Sequence, residues 1–496
     1  MAILNGTSGD DSLQGGSGDD SLYGGKGNDT LSGGGGNDYL DGGDGADTLS
    51  YASAPSAVFV DVPNGTATGG DGSDTFVNFE FFVGSQYNDT FNAPTTGSIF
   101  AGAGNDSLYG GKGSNAVLDG GAGDDLFSGS TQGNHMTVTY FDAPSAVHVD
   151  LGLGTATGGA GNDTFSHIPN VVGSAYNDTL FGDTSNNTLD GGAGNDTLNG
   201  GAGNDTLIGG LGSNVLTGGN GLDTADYYAA TGPVNVNMKS GTATGPGFSD
   251  RLSTIENVNG SPFADTIVGD GNANSIYGDG GDDSLHGGAG NDVLYAQSGT
   301  ELLDGGTGID TASFAFAGTY DSTLVIDLNA GTADSAYVHD SLVAIENITG
   351  SVYADMIIGD SHANVLSGQQ GDDTIAGGGG MDSLYGGKGN DVFVFDTMPN
   401  IKNVDVIEDF TTGSDSISLD SHVYAALAAG PLDPGAFQAA AQSTAAAAGI
   451  HIVFNTSTGA LFYDPDGAGG APAVQFATIL LSGLSGTVSA ADFVIT

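Results

Sequence analysis

Residues 6–50 read GTSGDDSLQ, GGSGDDSLY, GGKGNDTLS, GGGGNDYLD and GGDGADTLS, five consecutive nines with no residue gained or lost between them. Their common form is G-G-x-G-x-D-x-U-x, with U apolar. The G-G-x-G-x-D half is a turn, because glycine tolerates positive φ and lets carbonyls crowd together with no Cβ in the way. The x-U-x half is a minimal strand whose middle side chain faces opposite to its neighbours. Leu13, Leu22, Leu31, Leu40 and Leu49 are therefore expected to stack as one thin apolar column. Two nines make one coil of two strands and two turns, and successive coils stack about 4.8 Å apart. The pattern predicts an all-β fold, a parallel β-roll or β-solenoid.

That stacking sets Asp20 beside Asp38 and Asp29 beside Asp47. Paired buried carboxylates repel each other, so such a fold needs a cation between them. Ca²⁺ suits the gap, since it accepts roughly six to eight oxygens from carboxylates and carbonyls alike. Mg²⁺ suits it less, because it keeps its waters and demands tight octahedral geometry.

Similar blocks run over 173–226, 260–313 and 350–394, and a more worn one over 84–128 carries an extra residue near Asp119. The nines resemble those of the RTX (repeats-in-toxin, haemolysin-type) calcium-binding proteins, and the resemblance covers nearly the whole chain. It implies a β-roll that holds multiple Ca²⁺ between successive turns, with a ligand at the sixth position of each unit. Those positions are Asp11, Asp20, Asp29, Asp38, Asp47, Asp106, Asp125, Asp196, Asp205, Asp283, Asp292, Asp373, Asp382 and Asp391. The same role is extended to Asp74, Asp89, Asp163, Asp178, Asp223, Asp265, Asp310 and Asp355. Asn115, Asn187, Asn214, Asn274, Asn364 and Glu301 depart from the pattern at that position. Asparagine keeps an oxygen but no charge, so these sites are expected to be weaker or empty.

A second period is longer. YASAPSAVFVDVPNGTATGGDGSDTF from Tyr51 aligns with YFDAPSAVHVDLGLGTATGGAGNDTF from Tyr140, and looser copies start near Tyr227 and Phe314. The GTA triplets begin at Gly65, Gly154, Gly241 and Gly331, and G-S pairs close the inserts at Gly84, Gly173, Gly260 and Gly350. The chain is thus read as a β-roll over 1–50, four supermodules over 51–139, 140–226, 227–313 and 314–394, and a C-terminal cap over 395–496. Asn187, Asn274 and Asn364 all fall in the second unit after an insert, which argues for duplication of whole modules. The inserts alternate apolar residues, as in Val58, Val60 and Val62, and are expected to be wider β-coils that continue the solenoid. A sharper alternative makes them lateral contact surfaces at regular intervals.

After Val394 the nine-residue period stops. The cap is expected to be mostly β, with strands over 404–420, 450–454 and 474–481 and one helix over 433–448. Asp433 would cap that helix and Pro434 would open its first turn, ahead of an alanine-rich run. The segment also looks like the uncleaved type I secretion region of RTX proteins, and Asp492, Phe493, Val494 and Ile495 fit its acidic-then-apolar ending. Residues 463–467, YDPDG, read either as a further Ca²⁺ loop or as a simple hairpin turn.

Composition narrows the function. Six basic residues against 60 acids give a formal charge of −54, so phosphates cannot be neutralised and nucleic acid is excluded as a partner. Only five of those acids are glutamate. A short carboxylate on a tight turn or against a hard cation explains the bias to aspartate. Gly every third residue is absent, which excludes collagen, and Cys is absent, which excludes disulfides and thiolate metal sites. The N-terminus lacks the basic and apolar regions of a signal peptide, and no apolar run is long enough to span a membrane. Secretion without an N-terminal signal peptide, to the cell surface or beyond, then follows from the RTX resemblance alone.

No H-E-x-x-H motif occurs, and the eight His share no spacing. Gly24, Gly25, Lys26 and Gly27 lack the Ser or Thr that follows a phosphate-loop lysine. The repeats begin at residue 6, which leaves no room ahead of them for a catalytic domain, and the expectation is a non-enzyme. Three readings remain: a self-assembling surface-layer or matrix protein, an adhesin that binds cell-surface polysaccharide, or an enzyme along the coil such as a polysaccharide epimerase. The partners expected are further copies of the chain, possible surface polysaccharide and the type I secretion machinery.

Overall fold

The computed structural model describes residues 1–131, 135–315, 323–335, 339–482 and 486–496. The chain packs as two units, one of Met1–Ala229 with Gly241–Asn257 and one of Ala230–Ser240 with Val258–Thr496.

In the first unit the nines wind as coils with a parallel ladder on each side. Leu4, Leu22 and Leu40 pair in register on one side, and Leu13, Leu31 and Leu49 on the other. The leucines therefore form two facing columns where the sequence suggested one, because each successive strand lies on the opposite side of the coil. Leu22, Leu31, Leu40 and Leu49 have no exposed surface. The turns between them need glycine. Gly25 and Gly27 sit at φ 111° and 107°, and a Cβ on either would strike the turn of the coil below.

The first insert is a three-stranded patch set into one ladder. Val58–Asp61 runs antiparallel to Thr66–Gly69, which runs antiparallel to Gly72–Val77. The two outer strands are parallel to each other, so Gly72–Val77 continues the ladder from Tyr39–Asp44 and Val58–Asp61 continues it to Thr90–Asn92. Val58, Val60, Ala67 and Phe76 all turn inward and are buried. The second insert repeats the arrangement with Val147–Asp150, Thr155–Gly158 and Gly161–Ser166. These inserts continue the coil as wider β-structure.

The second unit carries the same coils over its nines and the same patch in Val325–Asp327, Thr332–Asp334 and His339–Val343. Positions 316–322 and 336–338 of the fourth insert lie outside the described residues. Beyond Val394 the coil continues with longer connections. Val392–Phe395, Ser416–Leu419 and Phe493–Ile495 extend one ladder in parallel. Ser383–Tyr385, Asp405–Ile407 and Val474–Ile479 extend the other, which then turns antiparallel through Ala460–Tyr463 and Ile452–Asn455. Tyr424, Tyr463, Phe476 and Phe395 form an aromatic core there, with ring centroids 5.0–5.4 Å apart.

The helix expected over 433–448 is not formed. Asp433 does cap a turn, accepting from Gly435 N–H at 2.8 Å, but the turn is a single 3-10 turn at Pro434–Ala436. Phe437–Ala440 then pairs with Ile452–Asn455 as a strand. Alanine has high helix propensity, but this run offers no apolar stripe to bury, and strand pairing of Phe437 prevails.

Candidate metal centres

The sixth-position aspartates tie the coils together. Asp20 N–H donates to Asp38 Oδ1 at 2.6 Å and Asp38 N–H to Asp74 Oδ1 at 2.9 Å. On the opposite side Asp11 N–H donates to Asp29 Oδ1 and Asp29 N–H to Asp47 Oδ1, at 2.8 and 2.7 Å. The same bond joins Asp89, Asp106 and Asp125 in turn, and later Asp178 to Asp196, Asp205 to Asp223, Asp265 to Asp283, Asp292 to Asp310, and Asp355 to Asp373 and Asp391. Every predicted ligand except the half-buried Asp11 is buried.

That bond uses one carboxylate oxygen, and the fate of the other divides the set. In fourteen of the predicted ligands (Asp29, Asp38, Asp47, Asp106, Asp125, Asp196, Asp205, Asp223, Asp283, Asp292, Asp310, Asp373, Asp382 and Asp391) Oδ2 is buried with no hydrogen-bond donor. An orphaned buried carboxylate oxygen is costly unless a cation meets it. The space beside it is oxygen-rich. A Cβ on Gly33 would fall on Asp38 Oδ2, and one on Gly24 would fall between Asp29 Oδ2 and the Gly42 carbonyl. Among the described residues no three His, Asp or Glu side chains converge. The donor set is therefore carboxylate plus backbone carbonyl, which is the chemistry of a hard cation such as Ca²⁺.

The remaining predicted ligands already have partners. Asp89, Asp178, Asp265 and Asp355 take the hydroxyls of Ser85, Ser174, Ser261 and Ser351 on Oδ1 at 2.8, 2.8, 2.8 and 3.1 Å, and the backbone N–H of the same serines on Oδ2. These serines belong to the G-S pairs that close each insert. Asp74 and Asp163 accept the buried phenols of Tyr51 and Tyr140 on Oδ2 at 3.1 and 2.8 Å. Asp11 Oδ2 accepts from Thr7, and Asp20 accepts from Gly16 N–H and Ala2 N–H.

The substituted positions are built differently. Asn187 Oδ1 accepts from Asp183 N–H at 2.8 Å while its amide donates to the Pro169 carbonyl at 3.0 Å, and Asn364 does the same with Asp360 and Glu346. Asn274 Oδ1 accepts from Asp270 N–H at 2.9 Å. Asn214 donates its amide to Asp250 Oδ1 at 2.9 Å. Asn115 is not at the ligand position. The extra residue of its unit lies within the turn itself, ahead of Asp119, so buried Ala116 takes the carboxylate's place and Asn115 faces solvent. Glu301 is buried with Oε2 orphaned, and burial first, then the Asp340 charge, pushes its carboxyl up to about 9.

Several ladder members were not read from the sequence. Asp250 and Asp340 accept from Asn214 and Glu301 exactly where Asp74 accepts from Asp38, and each stands eight residues after the threonine of its GTA triplet. That spacing was the available signal. Glu80, Glu256 and Glu346 end ladders by accepting from Asp47, Asp223 and Asp310 at 2.9, 3.0 and 2.8 Å. Asp405 and Asp415 accept from Asp382 and Asp391 across connections of 23 and 24 residues, which the nine-residue frame does not reach.

Without a cation these carboxylates resist ionisation. Burial, with the neighbouring ladder aspartates adding repulsion, pushes Asp106, Asp125, Asp196, Asp283 and Asp373 up to about 7.

A family model described as the RTX calcium-binding nonapeptide repeat (four copies) matches residues 3–31, 15–49, 98–117, 172–207, 194–225, 259–294, 277–312, 345–375 and 358–393. No curated protein matches the chain. The matched segments hold the coils whose carboxylates are described above, and such repeats bind multiple Ca²⁺ ions. The chain carries multiple RTX calcium-binding nonapeptide repeats, wound as a parallel β-roll.

Proposed function

We propose that this chain is a secreted structural protein that binds calcium through its orphaned ladder carboxylates and assembles with copies of itself at the cell surface or in extracellular matrix, like a surface layer. RTX repeat proteins are generally secreted, and no helix among the described residues is long and apolar enough to cross a membrane. The observation that carries the assembly reading is a recurring exposed ring. Tyr87, Tyr176, Phe263 and Tyr353 each stand three residues after the glycine of a closing G-S pair, and they are 46, 46, 41 and 36% exposed. One exposed aromatic is ordinary, but the same one in all four supermodules is a contact repeated once per module. Bound Ca²⁺ would offset the acidic surface that otherwise opposes association.

Analytical ultracentrifugation at rising calcium tests this. Wild-type protein is expected to form large species, and a variant with Tyr87→Ala, Tyr176→Ala, Phe263→Ala and Tyr353→Ala is expected to remain monomeric. A strictly monomeric wild type at millimolar calcium and high protein concentration would overturn the assembly reading. The same rings suit stacking on sugar faces, so a monomer that binds surface polysaccharide and loses it in the variant would make the chain an adhesin.

A further inference from the structure

One outer face of the third supermodule carries a hydrogen-bonded relay that the nine-residue pattern does not require. Ser284 and His286 lie two apart on the strand Ser284–Ala289, so both side chains project from the face opposite to buried Leu285. The strand Leu302–Thr307 pairs with it in parallel, setting Leu302 beside Ser284 and Asp304 beside His286. The Ser284 hydroxyl is 3.0 Å from His286 Nε2, and His286 Nδ1 is 3.2 Å from Asp304 Oδ2. A carboxylate only accepts, so Nδ1 carries the ring proton and Nε2 is left to accept from the serine. Hydroxyl, imidazole and carboxylate in that order make an activated nucleophile. The first block has Ser21, Tyr23 and Asp41 at the same places, so the imidazole is the departure.

The surroundings fit a small ester. On the strand before, Thr266 pairs with Ser284 and Val268 with His286. Thr266, Val268 and Leu302 project from the same outer face, about 4.8 Å from their partners. Val268 and Leu302 thus flank the relay with apolar surface for an acyl group, and the Thr266 hydroxyl can donate to an oxyanion formed at Ser284. The ladder N–H groups are spent on strand pairing, so that hydroxyl stands where backbone donors serve elsewhere. The His286 and Asp304 side chains are 34 and 32% exposed, open to a substrate yet half-withdrawn from water.

We propose that Ser284, His286 and Asp304 form a relay that hydrolyses small esters with an apolar acyl group, an activity beyond the structural role above. Ser284 Oγ attacks the ester carbonyl carbon while its proton passes to His286 Nε2. The tetrahedral species then breaks its bond to the alcohol oxygen, which leaves with that proton. Water, giving a proton to the same nitrogen, attacks the acyl group, and the acid departs as Ser284 takes the proton back. Ester and water become acid and alcohol, and nothing is oxidised or reduced. Asp304 positions the imidazole and does not touch substrate. To test this, the calcium-loaded full chain is treated with a fluorophosphonate probe, the labelled residue is mapped by mass spectrometry, and turnover is measured on p-nitrophenyl butyrate. Labelling of Ser284 in preference to the other serines is expected, and Ser284→Ala is expected to lose both label and turnover. His286→Gln should slow labelling on the order of a hundredfold. Asp304→Asn should lower kcat with KM and the β-sheet circular dichroism unchanged. A wild type whose Ser284 stays unlabelled overturns the site and needs no variant to fold. A Ser284→Ala variant that hydrolyses the ester as fast as the wild type overturns it equally.

Discussion

Asp38 holds the backbone N–H of Asp20 on one carboxylate oxygen, at 2.6 Å, and leaves the other oxygen buried and bare. The same side chain thus ties one coil to the next and presents half of an ion site. Coil stacking and cation binding are coupled through a single residue, repeated along both sides of the roll.

Calcium removal should therefore unfold the chain. Along the nines the core is a thin pair of apolar columns, and without cations the net charge of −54 is uncompensated. Circular dichroism in EGTA is expected to lose its β signal and regain it on adding calcium. A β spectrum that survives chelation at neutral pH would contradict the coupling.

Acid should partly replace calcium. The carboxyls of Asp106, Asp125, Asp283 and Asp373 are raised to about 7 in the fold, so between about pH 4 and 7 the folded chain binds more protons than the unfolded one. Their contribution is fully present below the unfolded value and is lost as pH rises through about 7. The calcium-free chain is expected to gain β structure when taken from pH 8 to pH 4.5. Calcium-loaded protein should show the opposite trend, because protons compete with the ion for the same oxygens. A calcium-free chain whose spectrum does not change with pH would count against these buried ionisations.

What could be read from the sequence was whatever keeps the nine-residue phase. Leu22, Leu40 and Asp38 follow from it directly, as does the expectation of a parallel roll. Which oxygens are free does not follow. Asp178 and Asp196 occupy equivalent positions, but Ser174 donates to both oxygens of the first while Oδ2 of the second has no donor, a difference carried by one residue in the preceding turn. Ala116 escaped because the extra residue shows only as a ten-residue step from Gly110 to Gly120, which does not tell on which side of Asn115 it lies. The alanine run after Phe437 misled because local propensity favours helix, while its strand partner at Ile452 lies too far along the chain to be seen locally.

The tyrosine staples should stabilise without taking part in calcium binding. Tyr140 is 4% exposed, and its hydroxyl is the donor that keeps Asp163 Oδ2 from being orphaned. Tyr140→Phe leaves that oxygen buried and unpaired, at a cost of about 1–3 kcal/mol. Thermal unfolding in saturating calcium should shift down accordingly, with the number of tightly bound ions unchanged. A variant as stable as the wild type would show that the phenol contributes nothing net.

Asn187 should not tolerate the consensus residue. Its amide donates to the Pro169 carbonyl at 3.0 Å, so Asn187→Asp removes a donor and sets a carboxylate against a carbonyl oxygen. Destabilisation of about 1–3 kcal/mol is expected in spite of the closer match to the repeat. Chemical denaturation in calcium measures it, and a gain in stability together with one more bound ion would show that the position is a dormant calcium site.

The last five residues should serve folding and export together. Phe493–Ile495 is the terminal parallel strand on Ser416–Leu419, with Phe493 and Ile495 1 and 2% exposed. Asp492 accepts from Ser489 N–H at 2.7 Å and from Gly413 N–H at 3.2 Å, which fixes the strand's entry. Removing Phe493 from this core costs about 3–5 kcal/mol by itself, so deletion of 492–496 is expected to lower the melting temperature of the calcium-loaded protein. If the same residues are read as a secretion signal, the transporter must meet them before that strand forms, while low cytosolic calcium keeps the chain unfolded. Phe493→Ala then separates the two roles: the folded cap weakens, while a signal made of several residues is only trimmed. The deletion should keep the protein inside the cell, and Phe493→Ala should reach the medium as a less stable protein. Normal export of the deletion would place the signal elsewhere in the chain and leave the tail a purely structural strand.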